Sequence, residues 1–331
     1  MIPGLNFFQK QILAIKDDKT FNECALELFH HQSKKVSVYR EFIELLPGDF
    51  SNPKHFSEVP FLPVTLFRNQ IVTDNEQIPG LCFSSSGTTG QVTSKHYVAE
   101  PEIYRESLQA GFRYFYGSPE RYCVLALLPS YLERSGSSLV FMVQQLMDES
   151  GHPENGFFLN NHDELAHTIR KITTEGKRLF LIGVTYALLD FFEKYPIPLP
   201  ADSIVMETGG MKGTRKELIK PEIHQLLISN TGLQKIHSEY GMTELLSQAY
   251  SDGDGIFKTP PWMKIMTGDL HDPLSLVGNG ETGLLKIIDL ANIHSCAFIE
   301  TQDLGRVKEN TFEVMGRMDH SEWRGCNLMV W

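Results

Sequence analysis

Residues 84–96 read Ser-Ser-Ser-Gly-Thr-Thr-Gly-Gln-Val-Thr-Ser-Lys-His, with five hydroxyls and two glycines in the first seven residues, then a lysine and a histidine. Glycine reaches positive φ without strain, so Gly87 and Gly90 let successive N–H groups turn inward as an anion-binding nest. Ser84, Ser85, Ser86, Thr88 and Thr89 add neutral donors, and Lys95 adds a mobile positive charge. This is the chemistry of a loop that grips phosphates. It is not a Walker sequence, which needs G-x-x-x-x-G-K-[ST]: the glycines stand three apart and Lys95 follows five residues later. A flexible Ser/Gly/Thr surface loop has the same composition, and the stretch by itself fits both readings.

Four further motifs follow in order. Residues 207–213 read Glu-Thr-Gly-Gly-Met-Lys-Gly directly after an apolar run. Paired glycines at a strand end let backbone approach a flat ligand, at the edge where open α/β sheets bind ligands. Residues 238–245 read Ser-Glu-Tyr-Gly-Met-Thr-Glu-Leu and combine an aromatic ring, a hydroxyl and a carboxylate. Residues 300–305 read Glu-Thr-Gln-Asp-Leu-Gly, and residues 316–327 read Gly-Arg-Met-Asp-His-Ser-Glu-Trp-Arg-Gly-Cys-Asn.

The elements that must position these motifs alternate along the chain. The first 50 residues read as helical, with Thr20 and Glu23 at capping-box spacing ahead of Phe21, Cys24, Ala25, Leu28 and Phe29 at helical intervals. Pro53, Pro60 and Pro63 then break the helical pattern. Pro101 opens a helix, 122–128 is an apolar run of strand length, and 139–147 is a helix. Asn161 and Glu164 cap another helix, 178–183 and 203–206 are buried strands, and 215–228 is helical. Strands alternating with helices predict a largely parallel sheet covered on both faces. From about Trp262, glycines punctuate short β-rich segments at 284–288, 297–300, 306–307 and 311–314, predicting a small barrel or second sheet.

The chain has 331 residues, enough for a large core, with 41% hydrophobic and 21% charged residues, as in ordinary globular proteins. A net charge of -11 argues against a nucleic-acid binder. Five scattered cysteines form no C-x-x-C pair, so a disulfide framework or zinc site is not expected and a reducing cytoplasm fits. The start carries no signal-peptide pattern, and the longest apolar stretch, 179–192, falls short of the roughly 20 residues of a membrane span. No membrane insertion is expected.

Together the Ser/Thr/Gly loop and the Tyr-Gly-x-Thr-Glu, Asp-Leu-Gly and Gly-Arg-x-Asp motifs resemble the adenylate-forming superfamily of acyl-CoA synthetases, adenylation domains and luciferases, over residues 60–331. The Glu-Thr-Gly-Gly run, the Ser-Glu-Tyr-Gly-Met-Thr-Glu box and the ending Ser-Glu-x-Arg-Gly-Cys-Asn-Leu resemble the acyl-protein synthetases in particular. The resemblance implies an α/β fold, the large lobe of the adenylate-forming enzymes, as one domain over 1–331 with an α/β sublobe (1–255) and a β-rich sublobe (256–331). The small lobe that usually follows the Gly-Arg-x-Asp hinge is expected to be absent, since no lysine follows Lys308.

It also implies an activity: ATP and Mg²⁺ convert a carboxylic acid, fatty in this family, to acyl-AMP, and the acyl group passes to a protein cysteine. Ser85, Ser86, Gly87, Thr88, Thr89, Gly90 and Lys95 would hold the ATP phosphates. Gly209 and Gly210 would line the adenine site, and Tyr240 beside Gly241 would stack on the base. Thr243 would bond the α-phosphate, Glu244 would ligate Mg²⁺, and Asp303 and Arg317 would hold the ribose or phosphate. Cys326 would be the acylated thiol. The bland alternatives are a core tyrosine for Tyr240, a turn-capping aspartate for Asp303 and a small buried hydrophobe for Cys326. Val184, Tyr186, Leu188, Leu189 and Phe192 would line an acyl channel or simply fill the core. Expected partners are an acyl-donor or acyl-acceptor protein: a thioesterase, a reductase or a carrier protein. The rival readings are an enzyme that loads CoA or a carrier protein, and a catalytically silent nucleotide- or acyl-binding subunit.

Overall fold

A computed structural model of the chain describes residues 4–75, 78–85, 93–128, 136–158, 161–209 and 218–318. The apolar runs become strands where the sequence is continuously hydrophobic. In chain order the strands are β1 (Leu62–Pro63), β2 (Leu81–Ser84), β3 (Lys95–Val98), β4 (Tyr122–Leu127), β5 (Gly156–Phe157), β6 (Arg178–Gly183) and β7 (Ile204–Glu207). They continue as β8 (His237–Tyr240), β9 (Ala249–Ser251), β10 (Ile256–Lys258), β11 (Met263–Gly268), β12 (Thr282–Asp289), β13 (Phe298–Lys308) and β14 (Thr311–Arg317).

Neighbours β5-β4-β6-β7-β8 pair in parallel. Between consecutive members of β4 to β8 run the helices Ser138–Ser150, His162–Thr174, Thr185–Lys194 and Lys220–Thr231. Burial by such crossovers explains why every residue of β4 is buried, as a central parallel strand requires. A fully buried Leu or Phe contributes roughly 1.5–3 kcal/mol, and Leu125, Leu127, Phe180 and Leu181 are all sealed from solvent.

At β8 the sheet changes sense. β9, β10, β14, β13, β12 and β11 follow as antiparallel neighbours. The β-rich tail therefore extends the parallel sheet edgewise into one 12-stranded sheet and forms neither a barrel nor a separate sheet. Segments 297–300 and 306–307, read from the sequence as two strands, belong to the single strand β13, which bulges against β14 between Leu304 and Gly305. A separate hairpin, β2-β3, registers Ser84 opposite Lys95 and so closes the base of the Ser/Thr/Gly loop.

Other local expectations shift. The capping box lies one turn earlier than Thr20–Glu23: Asp17 is the N-cap of the Asp18–Lys35 helix and its carboxylate accepts from the Thr20 amide. An aspartate is the stronger cap of the two, and it precedes the helical face. Asn161 holds the N-cap position of the His162–Thr174 helix, but its side chain donates to Glu164 and caps no backbone N–H. The helix predicted at 215–228 spans Lys220–Thr231 and ends at Gly232 in the left-handed conformation, the usual C-terminal stop. Pro101 does open the Pro101–Tyr116 helix.

The N-terminal helices lock onto the loop after β12. Buried Gln32 donates to the Asn292 and Ile293 carbonyls at 2.6 and 3.0 Å and accepts from the Ala297 amide at 3.0 Å. Beside it, Asp74 lies between His31 (2.8 Å) and His294 (3.1 Å), and His294 reaches Glu100 at 3.0 Å. Among the described residues no helix is long and apolar enough to cross a membrane.

Candidate active site

Three of the motifs converge at the carboxyl ends of the parallel strands. A cavity of about 160 Å³ is lined by Ser84 from the hairpin, Thr208 after β7, and Glu239, Gly241 and Thr243 on and after β8. Ser137, Leu139 and Met142 from the start of the Ser138–Ser150 helix complete the wall. Larger grooves of about 610 and 560 Å³ open elsewhere, and no described residue of the five motifs lines either. The strand-end cavity is where an open α/β sheet binds ligands, so chemistry and position agree there and size misleads.

Glu207 organises the first glycine pair. Its side chain is almost fully buried, and one oxygen accepts from Thr185 Oγ1 (2.7 Å) and the Gly209 amide (2.8 Å). The other accepts from Lys220 Nζ (2.6 Å) and Ser238 Oγ. Burial alone would raise its pKa, but a hydrogen bond from His224 and the charge of Lys220 hold it well below the ordinary glutamate range. Lys220 and His224 sit four apart on one helix, the spacing that aims two side chains at one target. With its amide taken, Gly209 turns at φ +74° and leaves open space where a Cβ would stand. A flat ligand could lie there.

Gly241 differs. A Cβ on it would come within 2.4 Å of the Glu239 carboxylate, so this glycine makes room for a neighbouring side chain. Glu239 accepts no hydrogen bond among the described residues. Burial, then the charge of Glu207, pushes its pKa up to about 8, with Lys220 acting in opposition.

Tyr240 donates its hydroxyl to Asp303 Oδ2 at 2.8 Å, while its ring meets Phe257 and Phe312 edge-on at 5.9 and 5.4 Å. Burial raises the pKa of Asp303, against the Tyr240 hydrogen bond and the charge of Arg317. Arg317 stands across from Asp303 in the β13–β14 register and donates to Gln302 at 3.2 Å. The Tyr-Gly-x-Thr-Glu and Asp-Leu-Gly motifs are thus joined by one partly buried hydrogen bond.

Glu244 is 4% exposed, and burial raises its pKa while a hydrogen bond with Ser94 lowers it. His96, next to Lys95, is fully buried and held near pKa 4 by burial. As a neutral imidazole it donates from Nδ1 to the Thr243 carbonyl at 2.9 Å, with Ser295 Oγ 3.0 Å from Nε2. Ser94 and His96 therefore fasten the end of the phosphate-type loop to the Thr243–Glu244 pair, and sequence reasoning assigned them no role. Their position flanking Lys95 was the available signal. Lys95 itself is exposed, as a cation reaching for a ligand must be.

Ser85 accepts from the Ser94 amide at 2.9 Å and closes the loop. Ser86, Gly87, Thr88, Thr89, Gly90, Gly210 and Cys326 lie outside the described residues. Of the residues read as an acyl channel, Val184, Leu188, Leu189 and Phe192 are buried core under the sheet, and Tyr186 packs beside them. They anchor the Thr185–Lys194 helix, and the cavity wall comes from the Ser138–Ser150 helix. Among the described residues no group of three or more His, Cys, Asp or Glu could by itself hold a metal ion.

Comparison with known proteins adds to this geometry. The family model described as acyl-protein synthetase, LuxE, matches residues 11–330. A long-chain-fatty-acid–luciferin-component ligase of Aliivibrio fischeri is 25% identical, over 92% of this chain and 86% of that protein. A 2-hydroxyisobutyryl-CoA ligase solved with 2-HIB-AMP and CoA superposes with a TM-score of 0.64 at 13% identity, over 92% of this chain and 70% of the other. Apo MatB from Rhodopseudomonas palustris superposes at 0.52 and 14% identity over 71% of this chain, which spans about half (47%) of that protein's length. At such identities the structural likeness is one of fold: the chain has the α/β fold of the adenylate-forming ligases.

Proposed function

The chain belongs to the acyl-protein synthetase family, and from that premise we propose that it activates a carboxylic acid of the fatty class with ATP and passes the acyl group to a protein cysteine. The observation that carries the reading is the single strand-end cavity lined jointly by Ser84, Thr208, Gly241 and Thr243. In the first step a carboxylate oxygen attacks the α-phosphorus, the bond to the bridging oxygen breaks, and pyrophosphate leaves. In the second a thiolate attacks the acyl carbon and AMP leaves.

The chain's own residues serve mostly to position groups and neutralise charge. Ser85, Ser86, Gly87, Thr88, Thr89, Gly90 and Lys95 hold the phosphates. Gly209, with open space where a Cβ would stand, lines the adenine site together with Gly210, and Tyr240 stacks on the base. Asp303 holds the ribose, and Arg317 supports the sugar or phosphate. Thr243 bonds the α-phosphate. Glu244 suits Mg²⁺, because the ion binds through one or two carboxylates plus substrate phosphates and water. A buried carboxylate beside Thr243 fits that donor set, and when bound the ion neutralises phosphate charge. In this reading residues 1–331 act as one unit, with sublobes 1–255 and 256–331.

Cys326 is the thiol we assign as acyl acceptor. Burial pushes Cys24, Cys123 and Cys296 up to about 11, 12 and 12 and also raises Cys82. All four are protonated at neutral pH and poor nucleophiles. The partner is an acyl-donor or acyl-acceptor protein such as a thioesterase, reductase or carrier protein, in the cytoplasm. ATP–pyrophosphate exchange across a panel of carboxylic acids tests the first step. Exchange that depends on an acid supports the reading, and none with any acid sinks it.

A further inference from the structure

A groove of about 560 Å³ opens at the other end of the parallel strands. It is bordered by Tyr122 at the start of β4, Arg178 at the start of β6, Ser203 just before β7 and His237 at the start of β8. The candidate active site lies at the opposite ends of these strands. From Arg178 to Gly183, β6 runs roughly 17 Å at about 3.3 Å per residue, so a ligand in the groove does not touch the activation chemistry.

Two buried polar atoms of groove residues have no hydrogen-bond partner among the described residues. Ser203 is 7% exposed, and its hydroxyl is one of them. Arg178 Nε is the other: Asp202 Oδ2 stands 3.2 Å away as a charge contact, outside hydrogen-bond geometry. β6 and β7 are parallel neighbours with Phe180 opposite Ile204, which puts Arg178 and Ser203 at adjacent strand starts. The guanidinium is steadied over the Tyr122 ring, 4.7 Å from its centroid.

Native proteins leave few buried polar groups unpaired. A guanidinium only donates, so the missing partner of Arg178 is an acceptor, and a neighbouring hydroxyl can donate to the same group. Charge points the same way. Arg121, Arg178 and Lys235 line the groove against Asp202 and Asp252. Arg178 and Lys235 each lie beside one of these carboxylates, at 3.2 and 3.3 Å, and Arg121 pairs with none among the described residues. The groove thus carries a surplus positive charge in a chain of net charge -11. Two helix carboxyl ends also reach this face, and their partial negative charge opposes an anion. Their last carbonyls are engaged, however. Tyr116 accepts from the Tyr122 hydroxyl at 2.9 Å, and Thr231 accepts from the Leu199 amide at 2.8 Å. An oxyanion with several acceptor oxygens satisfies both orphan donors and the unpaired Arg121 at once, and the guanidinium fork matches phosphate geometry. The volume is that of a small-molecule site, with room for an organic part beside the phosphate.

We infer that this groove binds a phosphate group, free or carried on a small molecule, through Arg178 and Ser203 with Arg121 at the rim. The inference does not depend on the acid-activating reading. Calorimetric titration with inorganic phosphate, at an ionic strength held constant with chloride, tests it on the unmodified chain. Saturable binding is expected. Arg178→Gln should weaken it at least about tenfold and Ser203→Ala about three- to tenfold, as losses of hydrogen bonds to a charged ligand. Ser203→Ala removes a buried hydroxyl that lacks a partner, so it should fold as the unmodified protein does. Arg121→Gln, an exposed change, should weaken binding about threefold. Lys95→Ala, in the activation site, should leave this binding unchanged. Tighter binding of ribose 5-phosphate than of inorganic phosphate upholds the site as one for a phosphate ester, and equal affinity upholds it as one for the free ion. Acetate binding as tightly as phosphate overturns the inference in favour of a carboxylate site. Phosphate binding that is lost in Lys95→Ala and kept in Ser203→Ala and Arg121→Gln also overturns it, since the ion then sits in the activation site. Absence of binding leaves water as the partner of both donors and ends the proposal.

Discussion

The Tyr240 hydroxyl and the Asp303 carboxylate, 63 residues apart, meet at 2.8 Å and tie the end of β8 to β13. The bond ties the parallel half of the sheet to its antiparallel half at the candidate nucleotide site. It also fixes the orientation of a carboxylate that, in the proposed function, holds the ribose.

Tyr240→Phe removes that donor and leaves a buried carboxylate short of a partner, at about 1–3 kcal/mol. For a chain of this length the melting temperature should fall by about 2–4 °C. ATP affinity, measured by calorimetry, should weaken as well. Unchanged ATP affinity with a lowered melting temperature would confine the bond to a structural role.

Glu207→Gln removes a negative charge that Lys220 and His224 face inside the protein. Breaking a buried pair costs about 3–5 kcal/mol, and Lys220 retains 32% exposure, so about 2–3 kcal/mol is expected here. The folded pKa of Glu207 is depressed, so its stabilisation is complete above the unfolded value near 4.5 and is lost as pH falls through the folded value. Urea unfolding at pH 7 and at pH 3 should show the gap between the two proteins narrowing at the lower pH.

His294 has the opposite sign. Burial lowers its pKa, but hydrogen bonds and charge from Asp74 and Glu100 raise it above 6.5 overall. Its contribution is therefore complete below 6.5 and is lost as pH rises through the higher folded value. Asp74, lowered by His294 and His31 against burial, acts at the acid end. Unfolding between pH 6 and 9 should show a loss of stability that His294→Gln removes, and an unaltered slope would refute the assignment.

Lys95→Ala should lower pyrophosphate exchange by about 10- to 100-fold, the size of a lost charge contact to a reacting phosphate. Stability should stay within about 0.5 kcal/mol, because Lys95 is exposed and surface changes rarely exceed that. Equal rates in the two proteins would remove Lys95 from the site.

The sequence by itself determined the local elements and the inventory of chemistry. A continuous apolar run at β4, Pro101 at a helix start and alternation of strand with helix are short-range signals, carried by neighbours a few residues apart. The motif residues could likewise be named from type and spacing, because phosphate, sugar and metal recognition each demand particular groups. Only the tertiary structure decided which of them meet. His96 reaches the Thr243 carbonyl across 147 residues and Tyr240 reaches Asp303 across 63, separations over which no local pattern carries information. The same is true of the continuity of the sheet: a strand's apolar pattern specifies that it pairs, while its partner is chosen by long-range packing. Val184, Leu188 and Phe192 could be read from the sequence as channel or, more often for such a stripe, as core, and burial assigned them to the core. The unpaired state of the buried Thr208 hydroxyl could likewise be seen only once the ends of β7 and β8 stood side by side.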